Sequence, residues 1–134
     1  MASIRKEFTV RLAPAQVWGA LKDFGSVHQV LASGFVTSCV LEQEDNVRTV
    51  TFANGMTARE RLVTMDDSLM RLVYTVEGGR ASHHNACVQV VAHDGGSRVI
   101  WITDALPDSL APTVGQMMDA GARAMTATLD RAAG

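Results

Sequence analysis

LAPTVGQMMDAGARAMTATL, residues 110–129, decides the fold. Val114, Met117, Met118, Gly121, Met125, Thr128 and Leu129 recur at three- and four-residue intervals and so share one face of a helix. Gln116, Asp119, Arg123, Thr126 and Asp130 mark the opposite face. Such a helix needs an apolar partner. Pro107, then Asp108 or Ser109 as a cap, signals its start, and Pro112 falls in the first turn, where amides have no intrahelical acceptor. Almost everything before this stretch reads as strand. A long terminal helix laid across the concave face of a curved antiparallel sheet is the economical arrangement, an α+β fold. Three unbranched methionines and a glycine make the stripe soft and low in volume. That suits a cavity between helix and sheet, or a core filled by flexible methionine.

The 134 residues suffice for a single domain, 1–134, with its own core. A formal charge of -2, with no basic run longer than Arg5-Lys6, lacks the electrostatic footprint of a nucleic-acid binder. No apolar run reaches membrane-spanning length, and Arg5, Lys6 and Glu7 stand where a signal peptide would be apolar. Cys39 and Cys87 are isolated in strand-like contexts, so both are expected reduced and buried, as in a cytoplasmic protein. Composition leaves a homodimer open.

Ser3 to Leu12 reads as a strand with Ile4, Phe8, Val10 and Leu12 on one side; Lys6 breaks the pattern. Pro14 opens a short helix carrying Val17, Trp18, Leu21 and Phe24, which Gly25 can end; Ser26 can cap a second holding Val27, His28, Val30 and Leu31. Six strands follow: Phe35 to Glu42, Val47 to Phe52, Thr57 to Met65, Met70 to Glu77, Ser82 to Ala92 and Arg98 to Asp104. Turn residues at Glu44-Asp45-Asn46, Asn54-Gly55, Asp66-Asp67-Ser68, Gly78-Gly79 and Asp94-Gly95-Gly96-Ser97 make them successive hairpins, an antiparallel meander.

This order, together with specific residues, resembles the helix-grip fold of the START and Bet v 1-like (SRPBCC) superfamily, which includes polyketide cyclases and dehydrases. Val17-Trp18 with Asp23-Phe24-Gly25 is similar to its first-helix signature. Val47-Arg48-Thr49-Val50 leading to Asn54-Gly55, and Glu60-Arg61-Leu62 with Asp66-Asp67, are similar to its third and fourth strands. His83-His84-Asn85-Ala86, Trp101-Ile102-Thr103-Asp104 and Leu106-Pro107 look like a bacterial branch. The Glu60-Arg61-Leu62 strand and Gly78-Gly79 loop are also similar to the gate and latch of plant abscisic acid receptors. Here, however, the gate reads Ala53-Asn54-Gly55-Met56-Thr57, and Ala32-Ser33-Gly34 stands in the region of their anchoring lysine, so hormone sensing does not carry over. The resemblance implies a seven-stranded sheet around the long helix and a closed hydrophobic pocket for a small lipophilic or aromatic molecule. It does not choose between catalysis and carriage.

Strand parity sketches the pocket, because alternate residues share a face. Connections of three, five and four residues at Asn54 to Met56, Met65 to Leu69 and Asp94 to Ser97 place Val50 and Phe52 opposite Glu60 and Ala58, and Arg48 opposite Leu62. Continuing through Gly78-Gly79-Arg80 brings Tyr74 opposite His84, and the Asp94 to Ser97 turn places Val90 opposite Trp101 and Val88 opposite Thr103. A one-residue change in any loop would exchange the faces, including that of His83 for His84. The ligand-binding set expected is Arg48, Phe52, Glu60, Tyr74, His84, Trp101, Met117, Met118 and Met125, with His28 at the mouth. Glu60 cannot stay ionised in an apolar pocket without a partner: it pairs with Arg48, accepts hydrogen bonds or takes a proton. Trp101 and Tyr74 can pack under the helix and line a cavity at once.

His83 and His84, adjacent on a strand, point to opposite faces and cannot chelate one metal together. No metal or cofactor motif is found, nor any nucleophile with a base at motif spacing. A catalytic reading rests on His84 as acid or base, Glu60 as its partner and Tyr74 as donor to a developing enolate oxygen. The readings are therefore a binder of a small hydrophobic or aromatic ligand, a cyclase- or dehydrase-type enzyme, and an interaction module. The last would use an outer sheet face carrying Thr57, Arg59, Arg61, Arg71, Thr75 and Gln89, which is polar enough to stay solvated.

Overall fold

The computed structural model describes residues 2–42 and 46–134. Strand β1 (Ala2–Val10) leads into helices α1 (Pro14–Lys22) and α2 (Val27–Val30). The strands β2 (Val36–Leu41), β3 (Val47–Phe52), β4 (Thr57–Asp66), β5 (Arg71–Glu77), β6 (His83–His93) and β7 (Gly96–Leu106) follow. A 3-10 turn, Asp108–Leu110, reached through a cis Leu106-Pro107 bond, precedes helix α3 (Ala111–Ala133). The seven strands form one antiparallel sheet in the order β1-β7-β6-β5-β4-β3-β2. This is the helix-grip architecture.

The stripe on α3 behaves as its spacing demands: Val114, Met118, Gly121, Met125, Thr128 and Leu129 are buried, and Met117 is half-buried. The helix packs along β1, which resolves the misfit at Lys6. Lys6 lies on the inner face, opposite Trp101, and its ammonium reaches Asp119 on α3 at 2.9 Å. Two further ties hold α3. Thr128 Oγ1 accepts from the Ser33 amide at 3.1 Å, while Arg11 donates to the Asp130 and Gly134 carbonyls at the C-terminal end. Neither Asp108 nor Ser109 caps α3. Those residues form the 3-10 turn, which leaves Leu110 at the cap with no side-chain bond.

Gly25 does not end α1 in a left-handed conformation. It is small because Leu41 packs on it, and a Cβ there would come within 2.8 Å of the Leu41 side chain. Phe24 lies beyond the helix yet is buried, and Ser26 stands at the α2 cap without a side-chain bond. Cys39 and Cys87 are free thiols, half-buried rather than buried, because each lies on a strand face only partly covered. Glu44 and Asp45 of the expected first turn lie outside the described residues.

Three hairpin registers differ from parity counting, each by two residues. Arg48 pairs with Glu60 and Val50 with Ala58, because Phe52 N–H bonds to Met56 O and the connection is Ala53 to Gly55. Tyr74 pairs with Ala86, not His84. Val88 pairs with Trp101 and Val90 with Val99, because Asp94 and Gly95 alone make the turn, with φ of 46° and 81°. Consecutive left-handed residues give the two-residue hairpin turn that Asp-Gly favours. Shifts of two do not exchange the two faces of these strands. A bulge between Leu62 and Thr64 adds a kink that the alternation did not reveal.

Candidate ligand-binding cavity

Between the concave face of the sheet, α2 and α3 lies a cavity of about 240 Å³ with a mostly apolar wall. Arg48, Phe52, Glu60, Tyr74 and His84 line it from β3 to β6, Trp101 from β7, and Met117, Met118 and Met125 from α3. His28 is not among them. On α2 it is Val27, with Leu31 four residues on, that lines the cavity; the buried His28 Nδ1 has no hydrogen-bond partner among the described residues. Thr57, expected outside, sits at the rim and contributes to the wall.

Sequence reasoning missed Phe35, Met56, Arg80, Leu110 and Thr113. Most of these lie in connections or at element ends, where alternation carries no information. Phe35 did carry a signal, as an aromatic opening the strand expected from Phe35 to Glu42; its ring lies 5.2 Å from that of Phe52 in a tilted aromatic pair. Gly121 also faces the cavity, and a Cβ on it would lie 3.1 Å from the Trp101 ring and 3.3 Å from Phe35.

The polar centre of the wall is Arg48 with Glu60. Arg48 is 5% and Glu60 7% exposed, on directly opposed strand positions. Arg48 Nε and Nη2 both reach Glu60 Oε1 at 2.8 Å, and Nη1 donates to the Phe24 carbonyl at 3.1 Å. The guanidinium also stacks 3.9 Å over the Phe24 ring, with Tyr74 5.5 Å away on another side. The pair neutralises itself, which is how two charges stay in an apolar enclosure. Cys39 lies nearby, its thiol directed at the Phe24 carbonyl at 3.5 Å; burial, more than any other influence, raises its pKa above the ordinary value.

Tyr74 is buried beside this pair. Burial first, and the Glu60 carboxylate second, hold its phenol well above the usual range, so it remains a donor. Trp101 is near enough to work slightly against that rise, but its buried Nε1 makes no hydrogen bond of good geometry among the described residues. His84 lines the wall from β6 while His83 is exposed and contacts Asn85. Burial, then the neighbouring His83, lowers the His84 pKa, so its imidazole is neutral at neutral pH. Glu60 pairs with Val76, and the Thr75–Asn85 register carries that row on to His84. Two strand spacings put Glu60 and His84 about 10 Å apart on one face, flanking a common space rather than touching. Among the described residues, no three His, Cys, Asp or Glu side chains converge to hold a metal ion.

On the outer face Arg59 pairs with Glu42 and Glu77, and Arg61 with Glu77. Among the described residues, no helix is long and apolar enough to cross a membrane.

A family described as "Polyketide cyclase / dehydrase and lipid transport" matches residues 1–134. The protein XoxI from Bacillus cereus has a similar structure, with a TM-score of 0.85, 20% identity, and 100% of this chain and 99% of that one covered. A solution structure from Thermobifida fusca gives 0.78 at 24% identity, covering 97% and 91%. Ara h 8.0201 gives 0.73 at 17%, covering 96% and 97%. At these identities the likeness is one of fold. No curated protein matches the chain in sequence.

Proposed function

The chain belongs to the polyketide cyclase / dehydrase and lipid transport family, and from that premise we propose that it binds a small hydrophobic or aromatic molecule between the sheet and α3. The observation that carries this reading is the cavity itself, an apolar enclosure whose deep charges, Arg48 and Glu60, are already paired with each other. A few polar groups on an apolar wall are the usual composition of a small-molecule site. The buried Tyr74 hydroxyl and Trp101 N–H would meet a polar atom of the ligand. Uptake of the neutral fluorophore N-phenyl-1-naphthylamine tests the proposal. The protein should bind it and raise its emission, and Ala58→Phe, which fills the cavity from β4, should abolish uptake while the protein stays folded. No uptake by the unaltered protein, or full uptake by the variant, would sink this reading.

One observation favours a second reading, an enzyme of the cyclase or dehydrase type. His84 is neutral, on the cavity wall, and bonded to no other side chain among the described residues, so it is available as a general base. Tyr74, protonated, would serve as donor. Native mass spectrometry of the protein isolated from its own host separates the two readings. A released compound that is unchanged on incubation supports carriage. A compound that changes mass supports catalysis, and His84→Ala should then stop the change.

A further inference from the structure

Among the described residues, the charged side chains on the cavity wall are Arg48, Glu60 and Arg80, two cations against one anion. Arg48 and Glu60 cancel within the wall, which leaves Arg80. It belongs to the β5–β6 connection, where Gly78 and Gly79 have φ of 79° and 74°. Two successive left-handed residues suit glycine and turn the chain sharply, bringing Arg80 and Ala81 to the cavity mouth. Arg80 is exposed and makes no ion pair among the described residues; the nearest carboxylate in sequence, Glu77, is occupied by Arg59 and Arg61 on the outer face.

We propose that the ligand is an amphiphile, with an apolar body in the cavity and a carboxylate at the mouth held by Arg80. The orientation follows from the charges. A carboxylate driven inward would meet the Glu60 carboxylate, whose attractive partner is already taken, and would lose its water. At the mouth it keeps part of its hydration and gains a planar guanidinium whose donors match its two oxygens. This inference rests on the cavity being a ligand site and adds the sign and position of the ligand's charge.

Decanoate and 1-decanol share a chain length and differ at the head group, so their displacement of N-phenyl-1-naphthylamine at neutral pH isolates the charge. Arg80→Gln should raise the decanoate concentration for half-displacement about fivefold more than that for 1-decanol, the scale of a partly solvated ion pair. Arg80→Lys, which keeps the charge but not the planar fork, should lose less decanoate affinity than Arg80→Gln yet fall short of the unaltered protein. An unchanged decanoate titration, or an equal loss for both competitors, overturns the carboxylate site and leaves the cavity reading standing. Failure of the unaltered protein to take up the fluorophore overturns both.

Discussion

At the scale of single residues, the buried pair is the most exacting feature. Removing one member leaves the other charged and unpartnered in an apolar wall, whereas removing both does not. Glu60→Ala should therefore cost about 3 kcal/mol in urea denaturation. Adding Arg48→Met should recover much of that loss, and a double variant no more stable than Glu60→Ala would contradict this account. His84 makes its own prediction. Its folded pKa lies below the unfolded value of about 6.5, so the unfolded chain takes up the proton first as pH falls. Its contribution is intact above that value and is lost as pH falls through the folded pKa. His84→Gln should remove this part of the acid-side slope, seen as a smaller drop in urea midpoint between neutral and mildly acid solution. Much of this site was legible in the sequence. An acidic residue at an inward position of an apolar strand demands a partner, and Arg48 was the one cation on the same face nearby. What was not legible was Arg80, because a loop residue has no parity and only the left-handed glycines before it set its direction.

At the scale of elements, turns decide registers and alternation decides faces. The faces were readable because each strand buries one side; the registers were not, because hydrogen bonds of the turns, such as Phe52 N–H to Met56 O, fix them. The error at Asp94-Gly95 was avoidable, since that dipeptide by itself favours a two-residue turn. The ends of α3 were similarly approximate: the amphipathic stripe was plain, but the 3-10 turn in front displaced the cap. Within α3, Gly121 sets how closely the helix lies on Trp101 and Phe35. Gly121→Ala gains about 1 kcal/mol of helix propensity and loses a similar amount by crowding the two rings. The thermal midpoint should stay nearly constant while the rings, displaced into the cavity, weaken fluorophore binding about threefold or more. A large fall in midpoint with unaltered binding would show that the rings have nowhere to move.

At the scale of the whole molecule, one curved sheet, one long helix and two short ones enclose a space that none could form alone. The helix lies along β1, at one sheet edge, so the middle of the concave face is left uncovered and becomes the cavity wall. Ties at both ends of the molecule support this. Trp18 Nε1 and Lys22 Nζ on α1 donate to Asp67 in the β4–β5 turn at 2.8 and 3.3 Å, while Arg11 grips the end of α3.

The strand order has one more consequence. β1 is the first strand made and has a single neighbour, β7, the last. During synthesis at the ribosome, the segment Ala2–Val10 therefore waits through some eighty intervening residues with its apolar side unclaimed, while the hairpins from β2 to β6 can already pair locally. Only when Gly96–Leu106 has emerged does the strand find its place, so the first-made strand of this sheet is among the last to be folded.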